Sequence, residues 1–182
     1  MTCSASQTPD WFFRDQLQQA PSPAVCDWLF DEGSLTRRLT ALSDDGFSVT
    51  PLREGWFELR GDECAALDAP PGSLGWVREV YLRGNGEPWV FARSVAAQRA
   101  LNGSGLDLQQ LGSRSLGELL FSDQAFTRGV LQVCRYPNAW MPASDEHKQL
   151  WARRSCFRRE GLAVLVAEVF LPAFWRIADP AA

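Results

Sequence analysis

One apolar run near the end of the chain, residues 162–171, contains a single charged residue, Glu168. The other residues of the run are Leu, Ala, Val and Phe. A run this short and this rich in β-branched residues is typical of a strand that is buried on at least one face. A carboxylate is costly to bury there unless another group pairs with it. The run therefore predicts a sheet whose interior holds at least one charged side chain.

A second predicted strand, residues 76–82, carries the opposite charge in an apolar pattern. Arg78 shares one face of this strand with Trp76 and Val80, because side chains two residues apart point the same way. Two interpretations of Arg78 and Glu168 are open from the residues alone. They form a structural ion pair, or they lie at the two ends of a pocket for a small molecule with a carboxylate at one end and a hydroxyl at the other.

Helix and hairpin signals organise the rest of the chain. Ser22 and Ser34 have the position of helix N-caps, each directly before apolar residues at helical spacing. From Phe47 onward the period changes to that of strands. Gly84-Asn85-Gly86 is a strong hairpin signal, because Asn and Gly tolerate positive φ. A second hairpin is predicted around Glu160-Gly161.

Four further segments are assigned from local pattern. Ser115 and Glu118 have the spacing of a capping box ahead of a short helix. Residues 125–134 are predicted to be helical, and residues 61–74, rich in Asp, Pro, Gly and Ala, are predicted to be a loop. Residues 153–159 are predicted to be a solvated edge strand, because their arginines alternate between its two faces.

The order of these elements predicts the fold class. Strands in hairpins, with helices before and between them, are typical of an α+β fold with a single antiparallel sheet flanked by helices. The chain has 182 residues, which is enough for one domain with a sizeable core. Residues 1–182 are therefore expected to form a single domain.

Charge and cysteine content exclude several classes of protein. The net charge is −4 and the pI is about 5.1, which argues against a nucleic-acid partner. The five cysteines are widely spaced and odd in number, as expected for reduced thiols in the cytoplasm. The N-terminus lacks the pattern of a signal peptide, and no apolar run approaches the roughly 20 residues that span a bilayer. We therefore expect a cytoplasmic protein without an integral membrane segment.

The residues also offer little for several kinds of catalysis. The one histidine, His147, lies in a polar stretch that is typical of a solvated loop. One histidine and scattered cysteines make a poor metal site, and no phosphate-binding loop is present. We expect no metal and no cofactor. An enzyme of this composition would work by binding, orientation and electrostatics.

A series of short stretches carries a family resemblance. In chain order they are Trp76-Val77-Arg78-Glu79-Val80, Asn85-Gly86-Glu87-Pro88-Trp89, Gln110-Leu111-Gly112, Ser115-Leu116-Gly117, Leu120-Phe121 and Ala167-Glu168-Val169-Phe170-Leu171-Pro172. Together with residues 32–38, they resemble the chorismate pyruvate-lyase family from about residue 26 to residue 172. Residues 1–20 match poorly. The connection 136–149 is longer than the family pattern and is interpreted as a loop insertion.

The resemblance implies both an activity and an architecture. The family converts chorismate to 4-hydroxybenzoate and pyruvate, the first committed step of ubiquinone biosynthesis in bacteria, and it needs no cofactor. Its fold is an antiparallel sheet flanked by helices, with a buried ligand pocket under helical flaps. A monomer is expected, with chorismate as its substrate and 4-hydroxybenzoate as its product.

The family's binding residues fall on Arg78, Leu35, Leu116 and Glu168. By resemblance, Arg78 and the main-chain amides of Leu35 and Leu116 meet the ring carboxylate, and Glu168 accepts a hydrogen bond from the 4-hydroxyl. The residue pattern agrees, because each leucine follows a candidate N-cap. Its N–H group would then lie in the first turn of a helix, where an anion is favoured.

Arg93 is our own candidate for the second carboxylate of chorismate, on the enolpyruvyl arm. It falls in register with Trp89 and Phe91 on its predicted strand and so places a charge among aromatic residues. Arg78, Glu168 and Arg93 are therefore the predicted catalytic residues.

Two other functions compete with this prediction. One is a non-catalytic domain of the same fold that senses aromatic acids, as in some bacterial transcription regulators. Such a regulator is expected to carry a helix-turn-helix domain upstream, for which this chain has no room. The other is an enzyme that cleaves chorismate to 3-hydroxybenzoate.

Overall fold

One antiparallel sheet organises the computed structural model, which describes residues 8–142 and 149–180. In the described residues its seven strands are β1 (Phe47–Glu58), β2 (Leu74–Gly84), β3 (Glu87–Ala97), β4 (Thr127–Arg128), β5 (Gln132–Tyr136), β6 (Leu150–Arg159) and β7 (Leu162–Phe170). Their order across the sheet is β1-β2-β3-β7-β6-β4, and β5 also pairs with β6. The predicted α+β class with a single antiparallel sheet is confirmed.

Short helices lie on the sheet. The α-helices of the described residues are α1 (Pro23–Leu29), α2 (Leu35–Leu42), α3 (Gly61–Ala66), α4 (Gln98–Leu101), α5 (Leu116–Ser122) and α6 (Pro172–Ala178). Ser22, Ser34 and Ser115 cap α1, α2 and α5, and each hydroxyl accepts a backbone N–H three residues ahead. The three predicted N-caps are therefore confirmed. No helix in the described part of the chain has the length and apolar character needed to cross a bilayer.

Both predicted hairpins are present. Asn85 and Gly86 have φ of 51° and 83° in the turn between β2 and β3, as a two-residue turn with positive φ at both positions requires. Glu160, with φ 52°, lies in the turn between β6 and β7. Arg159 pairs with Leu162 across that turn, which fixes the register of the two longest C-terminal strands.

Two local predictions are wrong. Residues 61–74 include the helix α3, whose N-terminus is capped by Glu63 through the N–H of Arg60 at 2.9 Å. Residues 125–134 contain β4 and most of β5 instead of a helix. Hydrogen bonding to β6 outweighs the weak helical spacing there, and Val130 is 72% exposed.

The prediction of a solvated edge strand at residues 153–159 is also wrong. β6 is flanked by β7 on one side and by β4 and β5 on the other. Arg153 is fully buried and Arg154 is 8% exposed. Local alternation of arginines could not reveal this, because the covering strands come from separate parts of the chain.

The two faces of the sheet carry different layers. We call the face that bears Val80 and Val166 the helical face, because α1, α2 and α6 cover one end of it and α5 covers the other. The opposite face packs against α3 at one end and against Tyr136 and Met141 at the other. Each face has two apolar clusters, and the helical face has polar side chains between them.

Gly84→Ala is expected to lower the free energy of unfolding by about 1–3 kcal/mol, as overpacking of a core does. A Cβ at this position would overlap the ring of Trp89, which is buried in the core. Urea denaturation followed by circular dichroism measures the change.

Gly61→Ala is the matched control, because nothing lies within 4 Å of a Cβ built there. It should leave the stability unchanged or raise it by up to about 1 kcal/mol. An equal loss of stability in the two variants would contradict the packing explanation.

Candidate active site

A strip of charged side chains crosses the helical face between its two apolar clusters. Arg78 on β2 is paired with Ser94 on β3, and Glu168 on β7 is paired with Ala92 on β3 and with Arg153 on β6. Directly opposed residues share a face, so Arg78, Glu168 and Arg153 all face the helices. Strand spacing and rise place the Cα atoms of Arg78 and Glu168 about 12 Å apart.

A narrow cavity of about 30 Å³ lies above this strip. Arg78 and Glu168 line it from the sheet, and Thr36, Ser115 and Leu116 line it from the beginnings of α2 and α5. The hydroxyls of Thr36 and Ser115 are 2.7 Å apart, so a hydrogen bond joins the two helix starts. The structure therefore brings Arg78, Leu116 and Glu168 to one cavity.

The two predicted leucines each occupy the first position of a helix. α2 begins at Leu35 and α5 begins at Leu116, directly after their serine caps. The first N–H groups of a helix have no partner within it, and they favour an anion. The side chain of Leu35 packs in the core, and the neighbouring Thr36 lines the cavity.

Arg78 is 3% exposed and is held by three hydrogen bonds. Nη1 donates to Oε1 of Glu54 at 2.6 Å, and Nη2 donates to the carbonyls of Gly112 and Arg114 at 2.8 and 2.9 Å. The Nε–H group and one N–H of Nη1 have no partner within the described residues. Burial lowers the pKa of Arg78 and the charge of Glu54 opposes this, but an arginine remains protonated in proteins.

Glu168 is held from one side only. Its Oε2 accepts from Nε of Arg153 at 2.6 Å, and its side chain is 12% exposed. Its other oxygen, Oε1, has no hydrogen-bond partner in the described part of the chain. Arg78 and Glu168 thus do not pair with each other, and each keeps unused hydrogen-bonding capacity on a side chain that lines the cavity.

Arg93 lies on the opposite face of the sheet, which corrects its expected place beside Arg78 and Glu168. Its guanidinium binds Glu63 at 2.6 and 3.0 Å and Glu79 at 2.7 Å. Burial alone would lower the pKa of Arg93, but these two carboxylates outweigh it and raise the pKa overall. Because side chains alternate along a strand, Arg93 points away from the residues that share a face with its neighbours Ala92 and Ser94.

The sequence reasoning missed Arg153 and Glu54 as parts of this site. A signal for Arg153 was available, because a two-residue turn at residues 160 and 161 pairs position 153 with position 168. Glu54 offered no such signal. It pairs with Arg78 across β1 and β2, which are joined by a long connection, and β1 has a register shift between Pro51 and Arg53.

Some predicted features fall outside the described residues. His147 and residues 143–148 of the connection 136–149 are outside the described residues. Within the described ranges 8–142 and 149–180, no group of three or more His, Cys, Asp or Glu side chains is arranged to hold a metal ion.

The α+β fold with one antiparallel sheet is also found in solved structures. The effector domain of PhnF from Mycobacterium smegmatis has the same fold, with a TM-score of 0.53. The similarity covers 78% of this chain and 90% of that chain at 13% sequence identity, so it concerns the fold alone.

Sequence comparison gives the family. The chorismate lyase family model matches residues 5–179. A "Probable chorismate pyruvate-lyase" of Pseudomonas syringae pv. tomato is 64% identical over 168 residues, which are 92% of this chain and 90% of that protein. A protein of the same name from Pseudomonas aeruginosa is 67% identical over 165 residues, covering 91% of this chain and 92% of that protein. The chain belongs to the chorismate lyase family, as the resemblance predicted.

Glu63→Gln is expected to weaken the acid dependence of stability. Burial by itself raises the pKa of Glu63, but its bonds to Arg93 outweigh this and lower the pKa below its ordinary value of 4.5. The ionised carboxylate therefore adds stability above about pH 4.5, and this is lost as the pH falls through the folded pKa. The free energy of unfolding of the variant should be about 3–5 kcal/mol lower at pH 7, and it should decline less steeply than that of the wild type below pH 4.5.

Urea denaturation between pH 3 and pH 7 measures this effect. Asp68→Asn is the control, because Asp68 pairs with Arg158 at 3.3 Å on the surface and its side chain is 81% exposed. Asp68→Asn should lower the free energy of unfolding by no more than about 0.5 kcal/mol. An acid profile of Glu63→Gln that runs parallel to the wild type would contradict the prediction.

Proposed function

We propose that the protein is a cofactor-independent lyase that converts chorismate to 4-hydroxybenzoate and pyruvate. Family membership supports the reaction, and one observation supports its location. Arg78 and Glu168 line the same cavity, and within the described residues Nε–H of Arg78 and Oε1 of Glu168 have no hydrogen-bond partner. A cation at one end and a carboxylate at the other suit a ring with a carboxylate and a hydroxyl opposite each other.

The ring carboxylate is bound at the Arg78 end. The Nε–H group of Arg78, which has no partner in the described residues, donates a charge-assisted hydrogen bond to this carboxylate. The amides of Leu35 and Leu116 add donors from two helix starts. Because those helices begin above the cavity, α2 and α5 act as the flaps that must move when a ligand enters.

The 4-hydroxyl is bound at the Glu168 end. Arg153 occupies Oε2 and stabilises the negative charge of the carboxylate, and this leaves Oε1 as the acceptor. A ligand without a hydroxyl at this position would leave a buried carboxylate oxygen without a donor, which is costly. Glu168 therefore selects for a hydroxyl opposite the ring carboxylate.

The reaction is an elimination that makes the ring aromatic. The C–O bond between the ring and the enolpyruvyl oxygen breaks, and the hydrogen on the neighbouring hydroxyl-bearing carbon leaves. The enolpyruvate takes up a proton at its methylene carbon and becomes pyruvate. Aromatisation supplies much of the driving force, so the site acts by holding the arm over that hydrogen and excluding water. Arg93, on the other face, has no part in this proposal.

The proposal places the reaction in the cytoplasm, in a monomer that supplies ubiquinone biosynthesis. Four cysteines in the described residues, Cys26, Cys64, Cys134 and Cys156, are free thiols. Free thiols are usual in a reducing compartment. The pathway is the one that the family resemblance implies.

Purified protein incubated with chorismate should form 4-hydroxybenzoate and pyruvate in equal amounts, measured by chromatography. Arg78→Lys and Glu168→Gln should each lower kcat/KM by about 10- to 100-fold, the value of one or two charge-assisted hydrogen bonds. Arg83→Lys is the control, because Arg83 lies on the same strand but binds Thr50 and the turn at Gly86. Formation of 3-hydroxybenzoate, or of no product, would contradict the proposal.

Glu54→Gln should lower KM and tighten 4-hydroxybenzoate binding by about 2- to 5-fold, the worth of a partly exposed ion pair. Glu54 holds one N–H of Arg78, so its charge competes with the ring carboxylate for the same guanidinium. Titration calorimetry and steady-state kinetics measure both effects.

Glu58→Gln is the matched control on the same strand, because Glu58 is paired with Leu74 at the end of β1, away from Arg78. It should change neither value. A rise in KM for Glu54→Gln would mean that Glu54 orients Arg78 for the substrate and does not compete with it.

A further inference from the structure

Arg153 is a fully buried arginine with partners on two separate elements. Its Nε donates to Glu168 at 2.6 Å. Its Nη1 donates to the main-chain carbonyls of Trp28 and Asp31, both at 2.9 Å. One guanidinium therefore joins the carboxylate of the cavity to the last turn of α1 and to the segment that connects α1 with α2.

Arg128 holds the next part of the same segment. Its Nη1 donates to the carbonyls of Glu32 and Gly33 at 2.9 and 3.1 Å, and its Nε donates to Ser155 at 2.8 Å. Four carbonyls between residues 28 and 33 are thus bound by two arginines. The segment ends at Ser34, the cap of α2, so these bonds set where the first turn of that helix lies.

Stability alone is a weak reason for this arrangement. Desolvation of a buried ion pair cancels most of its attraction, and apolar residues of similar volume are often as stabilising. Nη2 of Arg153 is buried without a partner in the described residues, which adds a further cost. The geometry that the guanidinium imposes on Glu168 and on the start of α2 is a better explanation for the arrangement.

We propose that Arg153 is a positioning residue that fixes Glu168 and the first turn of α2 relative to each other. The hydroxyl end and the carboxylate end of the cavity are then set by one side chain. This inference rests on the proposed function, because it assigns the two ends to the two groups of 4-hydroxybenzoate. Its consequence is selectivity, since a misplaced Glu168 no longer distinguishes a ligand with a 4-hydroxyl from one without it.

The test compares the affinities of 4-hydroxybenzoate and benzoate, measured by titration calorimetry. The measured quantity is the dissociation constant of benzoate divided by that of 4-hydroxybenzoate. In Arg153→Lys this ratio should fall about 10-fold, close to its value in Glu168→Gln, because each variant loses about one charge-assisted hydrogen bond. The double variant should show no further fall in this ratio. A purely structural role would weaken both ligands equally, and an unchanged ratio overturns the inference.

Arg154→Lys is the matched control. Arg154 is the next residue on β6 and is almost as buried, but it lies on the opposite face and binds Asp62 at 3.2 Å. It should leave the ratio unchanged. The same fall in Arg154→Lys as in Arg153→Lys would overturn the inference, because a general disturbance of β6 would then explain both.

A second measurement leaves Arg153 in place, in case its variant does not fold. Glu168→Gln removes the charge that Arg153 binds. Amide hydrogen exchange should therefore rise at least 3-fold at residues 37 and 38, whose N–H groups are bonded to Ser34, and stay unchanged at residues 118 and 119 of α5. Unchanged exchange at residues 37 and 38 overturns the inference. If the wild-type protein forms 4-hydroxybenzoate but the variants do not behave as expected, only the inference is overturned. If the wild-type protein forms no 4-hydroxybenzoate, the proposed function is overturned as well.

Discussion

The burial of charge between two apolar clusters is the constraint on which the site depends. Arg153 and Glu168 face each other across β6 and β7, and neither can reach bulk water easily. The pair is tolerable because Arg153 also binds main-chain carbonyls and Glu168 keeps one oxygen toward the cavity. Glu168 is bound to Arg153 and Arg78 to Glu54, so the two charges that line the cavity do not pair with each other.

The period of two along each strand divides the charges of the sheet into two sets. Arg78, Glu168 and Arg153 face the helices, and α2 and α5 begin beside the cavity that Arg78 and Glu168 line. Arg93 follows Ala92 on β3 and therefore points to the opposite face, where it joins α3 to the sheet through Glu63. Two arginines in similar apolar patterns therefore have different tasks, one beside a cavity and one within a closed ion-pair network.

Much of the fold was readable because the relevant signals are local. Serine caps and the Asn85-Gly86 turn act within a few residues, so the helix starts and the hairpin were predicted correctly. The errors at residues 61–74, 125–134 and 153–159 share a different cause. Each of these segments takes its structure or burial from partners far along the chain, such as Arg93 for α3 and β6 for β5.

By itself the sequence determined that one carboxylate and one guanidinium lie on apolar strands, and that two helices begin at Leu35 and Leu116. The hairpin turn at residues 160–161 also determined the partner of Glu168, although that register was not used. Only the tertiary structure decided that Arg78 and Glu168 line one cavity and that Arg93 does not. The reason is that a sequence specifies the alternation along each strand, but the order and register of non-adjacent strands depend on long-range pairing.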